Sequence, residues 1–243
     1  MHRFYPDPVR SDETRFFLSP EDLHHAVNVL RLRPGNKAEV VFGGKRWTAE
    51  FISRNEETFL IPLEELASSE PSLSVTLFQG LPKGDKMDWI VQKAVELGVT
   101  RIIPVAFSRC IVKLAGKDLI RKQERWQKIA REAGKQSGRC IIPEVFTPVA
   151  LSALPQFLGQ CDIVAVPWEE CTGYGPLSFF EMHPSVSSLG IVIGPEGGIS
   201  AEEIALLKGN RCVPITLGKR ILRTETAGLA AISVFLGLYG EME

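Results

Sequence analysis

The stretch "LGIVIGPEGGIS", Leu189 to Ser200, sets an apolar run against a glycine-rich turn that also carries a proline and a glutamate. A short apolar run bounded by glycine reads as a buried strand of a parallel sheet. Ser200, with Glu203 three residues later, forms the capping-box pattern that starts a helix in "SAEEIALLKG". Strand, turn and helix in that order put the turn at the carboxyl edge of an open α/β sheet, where such folds bind ligands. The turn matches neither G-x-G-x-x-G nor G-x-x-x-x-G-K-[ST]. Pro195 has no N–H to offer and Glu196 repels phosphate, so a pyrophosphate cradle is disfavoured and a phosphate-free ligand suits the turn better. On this motif alone, a plain strand-to-helix turn remains an equal alternative.

Outward from that stretch the same rhythm repeats. "PITLG" (214–218) is followed by "KRILRTETA" (219–227) and an apolar C-terminal helix, with Thr224 as a candidate N-cap and Arg223 and Glu225 as charges near the helix start. Two such loops on one sheet edge make a pocket for a nucleoside. Upstream, "LSVTLFQG", "RIIPVAF", "IIPEVF" and "DIVAVPW" alternate with helical patterns in "KMDWIVQKAVELGV", in a long helix from about Asp118 to Gly134, and near Leu151. Six apolar strands with helices between them predict a mostly parallel α/β sheet.

The first 70 residues read differently. "TRFFLSP" suggests a strand ending at Ser19, an N-cap with Pro20 at the first helical position, and Leu23, Val27 and Leu30 follow at helical spacing. "KAEVVF", a "GGK" turn, "RWTAEFIS", a polar "RNEE" turn and "TFLIPL" suggest a meander of paired strands. The small, polar, proline-containing "ASSEPS", Ala67 to Ser72, is the linker candidate, dividing residues 1–70 from 71–243.

Of the 243 residues, 44% are hydrophobic, enough for a substantial core. No run reaches the roughly 18 apolar residues of a membrane span. "MHRFYPDPVR" lacks the apolar core of a signal peptide, and a cytoplasmic location is expected. The five cysteines are widely spaced and read as reduced thiols, and the four histidines offer no ligand spacing, so no metal is expected.

The net charge is −1, but it is unevenly spread: residues 1–70 are acidic in balance, whereas from Lys83 to Arg139 basic residues outnumber acidic ones more than twofold. In the long helix Lys117, Arg121, Arg125, Lys128, Arg131 and Lys135 step by three or four and form one stripe, opposite Trp126, Ile129, Ala130 and Ala133. The stripe reads equally as a solvated face or as a surface for RNA phosphates, with Gln136, Ser137 and Arg139 placed to hydrogen-bond a base or phosphate. His24, His25, Arg31 and Arg33 are further RNA-contact candidates, and a partly buried histidine is the alternative for the first two. Trp89 and Trp126 are expected in the core.

Taken together, "GPEGGIS", "LGKRILRTETA", "KGDKMDWIVQKAVELGV", "RWQKIAREAGKQSGR" and "HHAVNVLRLRPG" resemble the RsmE-like ribosomal RNA (uracil-N3) methyltransferases of the SPOUT class over nearly the whole chain. Lys135 departs from that pattern, standing where the family usually carries an acidic residue. The resemblance implies an N-terminal β-barrel PUA-like RNA-binding domain and a SPOUT domain with a C-terminal trefoil knot. It also implies a homodimer, S-adenosylmethionine as cofactor, and methylation of N3 of one uridine in 16S small-subunit rRNA, free or in the assembled 30S subunit.

By position, the resemblance assigns Gly194, Glu196, Gly197, Gly198, Leu217, Gly218, Ile221, Leu222 and Arg223 to the cofactor pocket. Arg223 is expected to stabilise the uracil anion, Arg139 to hold the target nucleotide from the partner subunit, and Glu225 to act as base or as a helix-start charge. Rival readings are a SPOUT ribose 2′-O-methyltransferase on rRNA or tRNA, a non-catalytic RNA-binding ribosome assembly factor, and a phosphate-binding nucleotide enzyme.

Overall fold

The computed structural model describes residues 2–54, 57–112 and 116–242. They divide into two units: Met1–Glu70 with Gly138–Ile141, and Pro71–Ser137 with Ile142–Glu243.

The smaller unit holds strands β1 (Arg3–Phe4), β2 (Lys37–Phe42), β3 (Lys45–Arg54) and β4 (Glu57–Leu66). They pair in that order, β1 parallel to β2 and the rest antiparallel, with a register shift at Thr48/Ala49. Between β1 and β2 lies helix α1 (Pro20–His24), which Ser19 caps by accepting the Asp22 N–H with Pro20 in the first turn, as its sequence predicts. The helix continues as a π-helical turn, His25–Val29. The strand expected over Thr14–Ser19 shrinks to one antiparallel bridge, Phe16 to Leu60, because Phe16 and Leu18 are drawn into the small core as buried anchors. Part of the "RNEE" turn lies outside the described residues. Glu39 is buried in β2 and satisfied by Arg3 at 2.6 Å and Arg46 at 2.9 Å, as a buried carboxylate requires.

The larger unit runs β5 (Ser74–Gly80), α2 (Lys86–Leu97), β6 (Arg101–Ala106), α3 (Lys117–Ser137), β7 (Glu144–Val145), β8 (Val149–Ala150), a 3₁₀ turn at Leu151–Ala153 and α4 (Pro155–Leu158). It continues with β9 (Ile163–Pro167), α5 (Pro176–Met182), β10 (Ser188–Ile193), α6 (Ala201–Lys208), β11 (Cys212–Ile215) and α7 (Thr224–Leu238). The sheet order is β11-β9-β10-β5-β6-β7, with β8 also on β6, and every pairing is parallel. This is the parallel sheet the apolar runs predict, with the helix α5 and the short strand β8 in addition.

Successive strand residues serve opposite faces. Leu77 and Ile191 join Met87, Ile90, Trp126, Phe179 and Phe235 on the face covered by α2, α3, α5 and α7. Phe78 and Val192 join Leu158, Ile204 and Leu207 on the face covered by α4 and α6. Burial on both faces explains why these strands read as unbroken apolar runs.

Trp126 is buried at 3% exposure, with its Nε1 donating to Asp88 Oδ1 at 3.0 Å, but Trp89 is 45% exposed. The expectation of a core Trp89 is therefore corrected. Helix α2 buries Met87, Ile90, Val91, Ala94 and Val95, a stripe from which residue 89 is turned away. All five cysteines are free thiols, and burial pushes the Cys212 thiol up to about 12. Among the described residues no helix is long and apolar enough to cross a membrane.

Candidate functional site

The cavity lies at the carboxyl edge of the larger unit's sheet, where the chain leaves β9, β10 and β11. Those strands are adjacent in space with β9 in the middle, although β9 precedes both in sequence. The connection from β9 to β10 runs one way along the sheet and that from β10 to β11 runs back past β9, so the chain reverses direction at this edge, the kind of place where open α/β sheets bind ligands. A cavity of about 480 Å³ opens there, within the range of small-molecule sites, with an annex of about 140 Å³ beside it.

Tight packing shapes the glycine turn. Gly198 holds φ +72°, a conformation that favours glycine, and donates its N–H to Pro195 O at 3.0 Å. Gly80, at the end of β5, lies directly against the turn: a Cβ there would stand 2.5 Å from Pro195 N and 2.8 Å from Gly194 C. Ser200 caps α6 in a complete capping box with Glu203, whose second oxygen accepts the Ser108 N–H at 2.8 Å.

A buried relay ties this turn to the start of α7. Gln79 Nε2 donates to Thr224 Oγ1 at 2.9 Å, and Thr224 Oγ1 donates to Gly194 O at 2.6 Å. Thr224 is thus the first helical residue, and Arg223, extended at φ −65° and ψ 151°, is the N-cap with no side-chain cap bond. The hydroxyl expected to cap α7 is committed to the neighbouring loop instead.

Charge reinforces the same junction. Lys86 at the start of α2 bridges Glu196 on the turn, at 3.1 Å, and Glu225 on α7, at 3.2 Å. The hydrogen bond to Glu196, then that to Glu225, raises the Lys86 ammonium above its ordinary value. Burial works to raise the Glu196 carboxyl, but the Lys83 N–H and the Lys86 ammonium outweigh it and hold Glu196 below the usual carboxylate range. Arg109 adds a hydrogen bond from its guanidinium to Gly197 O at 3.1 Å.

All nine residues expected at a cofactor pocket line this space. Gly194, Glu196, Gly197, Gly198 and Arg223 border the cavity, Leu217 and Gly218 the annex, and Ile221 and Leu222 both. Ile221, 89% exposed, is an apolar side chain left open to solvent at the rim. Arg223 has no ion-pair partner among the described residues, and a cation at a helix start gains nothing from the helix dipole. Glu225 does not line the cavity.

Sequence reasoning missed the third wall, the end of β9, where Pro167 and Glu169 border both spaces and Trp168 borders the annex. Nothing in the local sequence announces it, because its relevance comes from the position of β9 between β10 and β11.

The RNA-contact candidates are scattered. Lys117, Arg121, Arg125 and Lys128 are exposed on α3, but Arg121 pairs with Asp118 at 3.4 Å and Arg125 with Asp88. Lys128 and Gln136 border a shallow groove of about 930 Å³ that also includes the exposed Trp89. Ser137 spends its hydroxyl on Ala133 O at 2.7 Å within its own helix. Arg31 and Arg33 are exposed in the smaller unit, Arg31 at φ +56°, and His24 and His25 are exposed as well.

Arg139 is placed quite differently from a surface nucleotide holder. It is 4% exposed, and its guanidinium grips Glu70 with Nε at 2.8 Å and Nη2 at 2.6 Å from Oε2. Glu70 Oε1 also accepts the N–H groups of Cys140 and Ile141. The pair fastens Gly138–Ile141 into the smaller unit.

Two family profiles match the chain: one described as an RNA methyltransferase domain over residues 69–236, the other as an RNA methyltransferase PUA domain over residues 18–62. The chain is 38% identical over 226 residues to the ribosomal RNA small subunit methyltransferase E of Bacillus subtilis, covering 90% of this chain and 88% of that protein. The fold is similar to the crystal structure of a ribosomal RNA small subunit methyltransferase E from Neisseria gonorrhoeae bound to S-adenosyl methionine, with TM-score 0.77, 34% identity and 98% of each chain covered. It is also similar to a putative methyltransferase from Legionella pneumophila in complex with the same cofactor, with TM-score 0.75, 32% identity, and 97% of this chain and 96% of that one covered.

Proposed function

The chain belongs to the RNA methyltransferase family, and from that premise we propose that it transfers a methyl group from S-adenosylmethionine to N3 of one uridine in small-subunit ribosomal RNA. The observation that carries the reading is the cavity's chemistry. Two carboxylates, Glu169 and Glu196, and the backbone of a glycine turn border it, and among the described residues Arg223 is the basic side chain on it, with Lys219 and Arg220 on the annex. S-adenosylmethionine has no phosphate and carries a positive sulfonium, so the residues present fit it, whereas a nucleotide polyphosphate would meet Glu196.

When bound, the cofactor supplies a methyl group on an electron-poor sulfur, open to in-line displacement. Alignment is therefore most of what the protein contributes. Gly194, Glu196, Gly197 and Gly198 hold the donor from the β10 side, and Leu217, Gly218, Ile221, Leu222 and Arg223 from the β11 side. The relay from Gln79 through Thr224 to Gly194 O and the Lys86 bridge keep the two walls in register.

Uracil N3 carries a proton at neutral pH that must leave before or during attack, and it passes to solvent. Arg223, with no acidic partner among the described residues, stabilises the resulting anion. Glu225, tied to Lys86, serves as a helix-start charge and an anchor in this reading. Lys117, Lys128 and Gln136 on α3, with Arg31 and Arg33 in the PUA-like unit, meet RNA phosphates. Arg139 acts through Glu70, as a structural residue.

The family resemblance supports a cytoplasmic homodimer, action on the rRNA within the 30S subunit, and a C-terminal segment threaded as a trefoil knot. The test is transfer of a labelled methyl group from S-adenosylmethionine to small-subunit rRNA, naked and as assembled particles, with nucleoside mass analysis of the digest. N3-methyluridine is expected, and Arg223→Ala should lower kcat by about 10²–10³. A 2′-O-methyl nucleoside would move the chain to ribose chemistry, and cofactor binding without transfer to either substrate would make it an RNA-binding assembly factor.

A further inference from the structure

The end of β9 brings to the cavity a second carboxylate, in addition to Glu196 of the β10 loop. Pro167 is the last residue of the strand, and Glu169, two residues on, borders both the cavity and the annex. Its carboxylate lies across the glycine turn, where a side chain at Gly198 would collide with Glu169 Oε1.

Glu196, the other carboxylate that borders the cavity, is engaged, as are Glu203 and Glu225 near it. Glu196 accepts from the Lys83 N–H and from Lys86, Glu225 accepts from Lys86, and Glu203 is held by Ser200 and Ser108. Glu169 has neither a hydrogen bond nor an ion pair among the described residues. Beside it, Trp168 borders the annex, and its buried Nε1 has no partner among the described residues. An ionised carboxylate is an acceptor only, so a cavity bordered by an uncommitted one is matched by a ligand that brings donors.

We propose that Glu169 is a cofactor-binding residue whose carboxylate accepts a hydrogen bond from a donor group of S-adenosylmethionine, either the ribose hydroxyls or the α-ammonium. The inference rests on the function proposed above. It gives Gly198 a second constraint beyond its positive φ: any side chain there displaces the carboxylate that meets the cofactor. It also gives β9, the strand between the two loop-bearing strands, a direct part in ligand selection.

Isothermal titration tests it with two probes, S-adenosylmethionine and 5′-methylthioadenosine, which keeps the adenine and ribose but lacks the amino acid. S-adenosylhomocysteine, which keeps the amino acid but not the sulfonium charge, is the control. Glu169→Gln removes the charge and Glu169→Ala the whole carboxylate. At least one of them is expected to raise the Kd of S-adenosylmethionine about tenfold or more, the scale of a hydrogen bond to a charged group. Weakening of both probes assigns the ribose hydroxyls. Weakening of S-adenosylmethionine and of S-adenosylhomocysteine, with 5′-methylthioadenosine unchanged, assigns the α-ammonium. Weakening of S-adenosylmethionine alone traces the effect to the sulfonium and overturns the proposal. Unchanged Kd values for both probes in both variants overturn the proposal. Failure of the wild-type chain to bind S-adenosylmethionine instead overturns the methyl-transfer reading. Because Glu169 is exposed and has no partner among the described residues, the ligand-free variants should melt within about 1 °C of wild type, so lost affinity reports the contact and not the fold.

Discussion

Replacing Thr224 by Val keeps the shape of a buried side chain and removes one hydroxyl. That hydroxyl accepts from Gln79 Nε2 at 2.9 Å and donates to Gly194 O at 2.6 Å, and Thr224 is only 6% exposed. Gln79 Nε2 retains its bond to Gly80 O at 3.0 Å through one hydrogen, so the groups left unpaired are the other N–H of the fully buried Gln79 and the partly exposed Gly194 carbonyl. The lost bond to Gly194 O at about 1 kcal/mol and one unsatisfied buried donor at about 1–2 kcal/mol give a loss of roughly 2–3 kcal/mol. For a chain of this size each kcal/mol shifts Tm by about 2–4 °C, so Thr224→Val should melt roughly 4–12 °C below wild type. Gly194 begins the turn that borders the cavity, so affinity for S-adenosylmethionine should fall as well. Thr224→Ser, which keeps the hydroxyl, should recover most of both losses. Scanning calorimetry and titration with S-adenosylmethionine read the two quantities. Thr224→Val melting within about 1 °C of wild type with unchanged affinity would refute the relay as a structural tie.

Gly80→Ala sets a methyl group against the backbone at Pro195 and Gly194, which cannot swing aside, and should cost about 1–3 kcal/mol in thermal melts together with a weakened cofactor Kd. Glu196 should show its depressed ionisation in acid: its contribution is complete above the ordinary value near 4.5 and is lost as pH falls through the lower folded value. Below about pH 4.5 wild type should therefore lose stability more steeply than Glu196→Gln in pH-dependent melts. Arg139→Met leaves Glu70 buried without its cation and should destabilise the chain by about 3–5 kcal/mol in denaturant titrations. A variant as stable as wild type but defective on RNA would return Arg139 to the substrate.

The parallel sheet was legible in the sequence because its strands are buried on both faces and so stand out as apolar runs between glycines. The two loops after β10 and β11 were legible for the same reason, each following directly on such a run. Features that depend on spatial order were hidden. Glu169 becomes a wall residue only because β9 lies between β10 and β11. Thr224 looked like a cap, but Gln79, 145 positions away, claims its hydroxyl. Arg139 looked like a surface cation because Glu70 is 69 residues earlier. Trp89 was misplaced by residue type, though the α2 pattern of Met87, Ile90, Val91, Ala94 and Val95 already turns residue 89 outward.

The central claim is that the chain segments leaving β10 and β11 form the methyl-donor pocket. Hydrogen–deuterium exchange with and without S-adenosylmethionine tests it most directly. Slowed exchange is predicted in residues 194–199 and 216–223, with little change in the smaller unit. Cofactor bound at saturation with both segments exchanging as before would place the donor elsewhere and contradict the account.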